Sequence, residues 1–301
     1  MGLTLKDLKD RQGWSLTQKI DHSVGAIESF VSHLGLDSVY VSFSGGKDST
    51  VLLDLARMIY PDIRAAFCNT GNEYPDVVRF VKTTENVDWV RPELTPKEIW
   101  GKYGFPLVSK EVSQMIYSIR QNPFSRTSTM RLESKSHGLP KKWRFLLAEN
   151  FNVSHRCCEF LKKKPFHKYE KETGRHPILG TMASESRMRE RDYLLQGGCN
   201  SISETGRSRS MPLSIWTERD IWDYISERDL PIADIYHKGA KHTGCMGCGF
   251  GCHFPDDERF QILYREYPKC YDMVMNYTSN GITFRHACNK VMNVNGIELP
   301  K

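Results

Sequence analysis

Hydrophobic positions change period several times along this chain. Between residues 14 and 34, Ile20, Val24, Ile27, Phe30, Val31 and Leu34 recur at the spacing of one helix face, which predicts an amphipathic helix. The period then shortens. VYVSF at 39–43 is a β-branched and aromatic run that predicts a strand, SGGKDS follows it, and TVLLDLARMIY returns to helical spacing. IRAAFCNTG at 63–71 predicts the next strand, YPDVVRFVKTTE a helix, and DWVRPEL near residue 88 a third strand. This alternation predicts an α/β fold with a doubly wound, mostly parallel sheet covered on both faces. Further on, KWRFLLAENF and CCEFLKKKPFHKYEKETG read as helical, and HPILGTMASES reads as strand into loop. Thr217 and Asp220 form a capping-box-like start to TERDIWDYISER. Ile221, Trp222 and Ile225 then supply its core face, so Asp220 and Trp222 read as helix cap and core packing. From Tyr236 onward glycines and cysteines come first, and DDERFQILYREYPKCYDMVMNY follows as a helical stretch. The predicted division is therefore an α/β domain over 1–235 and a cysteine-rich subdomain over 236–301.

Charge adds one feature. The 301 residues hold 42 Lys and Arg against 36 Asp and Glu, a balance compatible with a polyanionic partner without demanding one. Seven of the basic residues fall between Arg120 and Arg144, with Glu133 as the only acid among them. That stretch, 120–144, reads as a basic, mobile surface insertion, or as a clamp on nucleic acid or an anionic substrate. No run approaches the ~18 apolar residues of a membrane span. The start MGLTLKDLKDRQGWS has no apolar targeting core, and Lys6 stands where myristoylation requires Ser or Thr, so a cytoplasmic location is expected.

Nine cysteines in a long chain without a secretion signal point to metal or redox chemistry rather than disulfides. Cys157 and Cys158 are adjacent, and Cys245, Cys248 and Cys252 are spaced C-x2-C-x3-C. Cys68, Cys199, Cys270 and Cys288 are scattered and read as buried or inert thiols.

The chemistry most sharply drawn is at Ser44-Gly45-Gly46-Lys47-Asp48-Ser49, between a strand and a helix. Gly45 and Gly46 let the backbone approach an anion, the helix N-terminus points N–H groups at it, Ser44 and Ser49 offer hydroxyls, and Lys47 adds charge. Asp48 after the lysine excludes a Walker A loop. VSFSGGKDSTVLLDLA resembles the PP-loop of N-type ATP pyrophosphatases, which cleave ATP between the α and β phosphates to adenylate a substrate. The resemblance implies an adenine nucleotide alpha hydrolase-like fold, with ATP and Mg²⁺ at the loop.

Further segments resemble the phosphoadenosine phosphosulfate (PAPS) reductase-like branch of that superfamily: FCNTGNEYPDVVRFV, CCEFLKKKP, LGTMASESRMR, and PLSIWTERDIWDYI followed by LPIADIYHKG. Carried over residue by residue, the likeness places Thr70 and Gly71 near the nucleotide, and Gly180, Glu185, Ser186 and Arg189 at the substrate pocket. A guanidinium such as Arg189 grips phosphate or sulfate bidentately, whereas Glu185 taken alone also reads as a solvated loop carboxylate. Cys157-Cys158 with Cys245-x2-Cys248 resembles the ligand set of iron–sulfur adenylylsulfate reductases, which implies a [4Fe-4S] cluster on those four thiolates. Cys252 is then a fifth candidate, either the fourth ligand in place of Cys157 or a thiol that carries sulfur. Zn²⁺ held by Cys245, Cys248, Cys252 and either Cys158 or His253 is the other metal reading.

Sulfonucleotide reductases carry a degenerate phosphate loop and a Glu-Cys-Gly-Leu-His tail. Here the loop is complete and FRHACNKVMNVNGIELPK puts Cys288 in a different context. Family sulfate adenylyltransferase subunits keep the loop but lack the cysteine set. The expectation is thus an ATP pyrophosphatase that adenylates an acceptor for sulfur transfer, with Lys47, Asp48, Arg189 and Cys252 catalytic. Its expected partners are an adenine nucleotide, a nucleic-acid acceptor and a sulfur-donor protein, with no membrane. The rival readings are a sulfonucleotide reductase releasing sulfite, and a nucleotide- or nucleic-acid-binding module with structural zinc.

Overall fold

Short runs of β-branched and aromatic residues with no polar face become the buried middle of a parallel sheet, as the sequence pattern requires. The computed structural model describes residues 2–134, 136–203 and 206–300. Strands β1 (Val39–Ser42), β2 (Ala65–Cys68), β3 (Val87–Val90), β5 (His176–Leu179), β6 (Asn200–Ser201) and β7 (Arg209–Ser210) form one sheet in the order β3-β2-β1-β5-β7-β6. All pairs are parallel except β6 with β7. Every residue of β2 is buried, and Val39, Tyr40 and Val41 of β1 are too. The doubly wound, mostly parallel sheet is therefore present. The helix expected at 14–34 spans Leu16–Leu34, and its Ile27 and Phe30 are fully buried. Strand order reverses between β1 and β5, so their carboxyl ends define the switch point where open α/β sheets bind ligands.

The chain divides into two compact units, and the boundary differs from the one read from sequence. The first comprises 1–68, 75–90 and 166–234 and holds the sheet; the second comprises 69–74, 91–165 and 235–301. The cysteine-rich segment 235–301 groups with 69–74 and 91–165 in one unit. Strand β4 (Leu107–Val108) pairs in parallel with β8 (Gly249–Phe250), and Trp100 packs on Phe284 with ring centroids 4.9 Å apart. Those contacts draw 91–165 into the second unit. Its terminal helical stretch is two helices, Arg259–Glu266 and Pro268–Met275, because Pro268 cannot donate into a continuous ladder.

The basic stretch is also different from expectation. Arg120 lies in the last turn of the helix Lys110–Gln121 and Arg126–Glu133 is a further helix, so the stretch is not a loop insertion. Arg120 donates to the carbonyls of Leu147 (3.2 Å), Phe151 (2.7 Å) and Glu149, and Arg144 to those of Leu139 (3.2 Å) and Leu132. These guanidinia tie backbone together instead of facing a ligand. Lys135 lies outside the described residues. Arg120→Ala is expected to destabilise the protein by about 2–3 kcal/mol, since it strips charged donors from partly buried carbonyls; thermal unfolding checks it. Among the described residues no helix is long and apolar enough to cross a membrane.

Candidate nucleotide and thiol sites

In the first unit the segment after β1 turns sharply through Gly45, whose φ is +70°. A Cβ there would lie 2.8 Å from Val81 and 2.9 Å from Val77, so both the dihedral and the space demand glycine. Gly45→Ala is expected to cost about 1–3 kcal/mol through the left-handed dihedral alone, visible as a lowered unfolding midpoint. Gly46 is the N-cap of the helix Lys47–Ile59 and contributes no side-chain cap. Hydroxyls brace the loop: Ser44 N–H donates to Ser49 Oγ (3.1 Å), the two hydroxyls lie 3.0 Å apart, and Ser49 donates to the Gly46 carbonyl (2.9 Å). Lys47 is only 2% exposed. Its ammonium sits 3.5 Å from Asp48 Oδ1, an oxygen that is buried without a hydrogen bond.

Residues after β5 close on the same loop. A Cβ on Gly180 would stand 3.2 Å from the Asp48 carbonyl oxygen, which fixes the close approach of the two segments. Ser186 caps the helix Arg187–Gln196 by accepting from Arg189 N–H (3.3 Å), and Arg189 pairs with Glu185. Burial lowers the pKa of the Arg189 guanidinium, against the opposing pull of the Asp48 carboxylate. Glu185 is thus the partner of Arg189 and also accepts from Met182 N–H (2.9 Å). Gly180 and Arg189 thus come close to Asp48 of the phosphate loop, with Glu185 and Ser186 holding Arg189 and its helix.

Two side chains near Lys47 escaped the sequence reading. Glu218 Oε1 lies 3.3 Å from Lys47 Nζ, and the Trp222 ring lies 6.0 Å from it. Trp222 is 37% exposed, so it is not core packing, unlike its neighbours Ile221 and Ile225. Asp220 does cap its helix, taking Thr217 N–H and Oγ–H at 2.7 Å, and also binds buried Lys19 at 2.6 Å.

Thr70 and Gly71 belong to the second unit. Thr70 N–H and hydroxyl donate to Glu73 (2.9 and 2.7 Å), and Gly71 takes a φ of +76°. The following Asn72 anchors the cysteine loop, accepting from Met246 N–H on its carbonyl (2.7 Å) and from Gly247 N–H on its side chain (3.1 Å). Gly247 separates Cys245 from Cys248 because a Cβ there would lie 2.2 Å from the Trp100 ring.

Four thiols of this unit act on one another electrostatically: Cys157, Cys158, Cys245 and Cys248. A hydrogen bond from Cys157 lowers Cys158 to about 6, helped by Lys162, Lys110 and Lys163, and the same bond together with burial raises Cys157. Burial raises Cys245, and burial with the Cys245 charge pushes Cys248 up to about 12. Lys162 is the cation among them: Cys245 foremost, then Glu73, Cys158 and Cys248, hold its ammonium charged. It stands in a π-helical turn, Glu159–Lys163, directly after the cysteine pair, a distortion common at functional sites. No sequence spacing announces Lys162 or Glu73.

Cys252 is 1% exposed and hydrogen-bonded with buried Cys288, and Cys252 and Cys248 both act on Arg259 and on Cys288. His253 packs on Trp143 and Phe254 with ring centroids 4.9 and 4.2 Å away. Among the described residues, no three His, Cys, Asp or Glu side chains are closed to metal-binding distance.

A complete phosphate loop at the switch point of a doubly wound sheet defines a nucleotide-binding α/β protein. The chain belongs to the phosphoadenosine phosphosulfate reductase domain family, whose model matches residues 38–100 and 110–249, more than half of the chain. The match includes Cys245 and Cys248 and stops before Cys252. An adenosine 5'-phosphosulfate reductase of Staphylococcus haemolyticus is 24% identical over 232 residues, covering 74% of this chain and 75% of the relative. Sulfate adenylyltransferase subunit 2 of Shewanella amazonensis is 26% identical over 248 residues, covering 77% and 70%. A phosphoadenylyl-sulfate reductase from Candida auris superposes with a TM-score of 0.44 at 14% identity, covering 81% of this chain and 97% of the other. The named relatives are enzymes, and the chain is an enzyme of this family.

Proposed function

We propose that the chain cleaves ATP to AMP and pyrophosphate in order to adenylate an acceptor, which then receives sulfur. The observation that carries this reading is the intact phosphate loop, with Gly45 at positive φ, Lys47 buried beneath it and Asp48 Oδ1 lacking a hydrogen bond. An acceptor oxygen attacks the α-phosphorus, the bond to the bridging oxygen breaks, and pyrophosphate leaves with the electron pair. Loop N–H groups and Lys47 stabilise that growing charge, Arg189 orients the phosphoryl oxygens, and Asp48 is the carboxylate suited to hold Mg²⁺. A sulfur nucleophile then displaces AMP from the acceptor.

The thiols support the second half by their chemistry. Three cysteines, Cys157, Cys245 and Cys248, whose ionisation is opposed by neighbouring thiolates, together with Cys158, whose thiolate is favoured, fit a cationic centre, because bound iron removes the repulsion between thiolates. Cys157, Cys158, Cys245 and Cys248 would hold a [4Fe-4S] cluster, which when bound supplies iron sites with affinity for sulfur. Lys162 and Arg259 stabilise negative charge there, the latter donating to the Cys248 carbonyl at 2.9 Å. Zinc on Cys252 or His253 fits less well, since both side chains are engaged elsewhere. Nucleic acid is the proposed acceptor class; within 120–144, Arg120 and Arg144 bind backbone, which leaves the exposed Arg126, Lys141 and Lys142, among the described residues, as the basic residues open to it.

The 24% identical reductase favours a second reading, in which the loop holds a ready-made sulfonucleotide and sulfite is released. Anaerobically purified protein given ATP, with and without RNA or DNA, separates the two. Pyrophosphate release that nucleic acid stimulates supports adenylation. Thiol-dependent sulfite from adenylyl sulfate, with no pyrophosphate from ATP, replaces it with the reductase.

A further inference from the structure

Lys47 cannot meet an incoming phosphate as a naked charge. Its ammonium lies 3.3 Å from Glu218 Oε1 and 3.5 Å from Asp48 Oδ1, and the Trp222 ring covers it at 6.0 Å. Two carboxylates thus compensate one lysine. They differ in freedom: Asp48 is part of the loop and 28% exposed, whereas Glu218 stands in the first turn of the helix Glu218–Arg228 and is 55% exposed. Water can take over the solvation of Glu218 when it swings away, while buried Lys47 has no such exchange.

We propose that Glu218 is a displaceable counter-ion of the phosphate loop, holding Lys47 until a polyphosphate evicts it and thereby selecting ligands by charge. The inference rests on the reading that this loop takes a polyphosphate. In the ligand-free protein Glu218 neutralises Lys47 and repels anions, so part of every ligand's attraction is spent breaking the pair. Repulsion by a fixed carboxylate scales with the charge that approaches it. A ligand that replaces Glu218 at Lys47 gains a charge-assisted contact in a site more buried than the one Glu218 can offer. Glu218 therefore acts as a specificity-determining residue through Lys47, without touching the reacting phosphorus. Trp222 keeps the lysine stem in place during the exchange, its ring face favouring the ammonium.

Charge-graded binding is the test. Isothermal titration of inorganic phosphate, pyrophosphate and tripolyphosphate, without Mg²⁺ and at fixed ionic strength, is compared for the intact chain and for Glu218→Gln. Affinity is expected to rise about twofold for phosphate and about tenfold for tripolyphosphate, the scale of a partly exposed ion pair. Glu218→Asp, which retains the charge, is expected to stay near wild type. A merely structural role moves all three ligands alike and does not separate Gln from Asp. Glu218→Ala provides the same comparison at this exposed helix position should the glutamine variant fold poorly. Wild-type binding that Gln and Ala leave unchanged, or weaken, overturns the counter-ion and leaves the loop's reading intact. Absence of binding by every form overturns both.

Discussion

Lys47→Ala is expected to lower pyrophosphate release from ATP by about 10²–10³-fold, the scale set by removing one donor from a preorganised anion site. The loss should fall mainly on kcat, because the charge on the leaving pyrophosphate is larger in the transition state than in bound ATP. Loop N–H groups at the start of the helix Lys47–Ile59 remain and keep some ground-state affinity. Glu218 reaches solvent, but Asp48 Oδ1 is buried, so removing the buried lysine is also expected to lower the unfolding temperature, and turnover is compared per folded protein. Lys47→Arg provides the contrast: it keeps the charge but not the point-like ammonium, and an intermediate rate is expected. Steady-state pyrophosphate assays paired with thermal unfolding read both effects. Unchanged turnover in the alanine variant would place the chemistry away from this loop.

What made that loop legible is its locality. Strand β1, the glycine turn and the following helix lie within twenty-odd residues, and their hydrophobic period, their glycines and their charge all point the same way. Gly180 and Arg189 were reached only through resemblance, and the structure supplies the reason for them in the close approach to Asp48. Glu218 and Trp222 read as an ordinary helix start because nothing in a local pattern shows that Lys47, some 170 positions earlier, comes beneath them. The same holds for the division into units: β4 and β8 are two residues each, too short for any periodic signal, yet their pairing joins segments about 140 residues apart. In the basic stretch the charge was legible, but not the helix that Arg126–Glu133 forms nor the use made of two of its arginines. Arg120 and Arg144 carry charge, but their donors satisfy carbonyls whose need for partners appears only once the chain has folded. Cysteine spacing likewise identified a cluster of thiols without saying that Cys252 would turn to Cys288.

Substitutions in the cysteine set are expected to split into two classes. Anaerobically isolated protein should contain about four iron atoms per chain with matching acid-labile sulfide. Cys245→Ala, Cys248→Ala and Cys157→Ala are each expected to remove most of that iron, because their thiols belong to one electrostatically linked group. Cys252→Ala should retain it. Its cost falls on packing: a 1% exposed sulfur lost beside Cys288 leaves a small void worth about 1–2 kcal/mol, read as a lower unfolding temperature. Iron content and unfolding temperature therefore respond to different residues, which a general loss of folding cannot imitate. Iron lost from Cys252→Ala and kept by Cys157→Ala would reverse the assignment of the fourth ligand. Zinc in place of iron, bound by the same four thiols, would keep the geometry while removing the sulfur-transfer half of the proposed reaction.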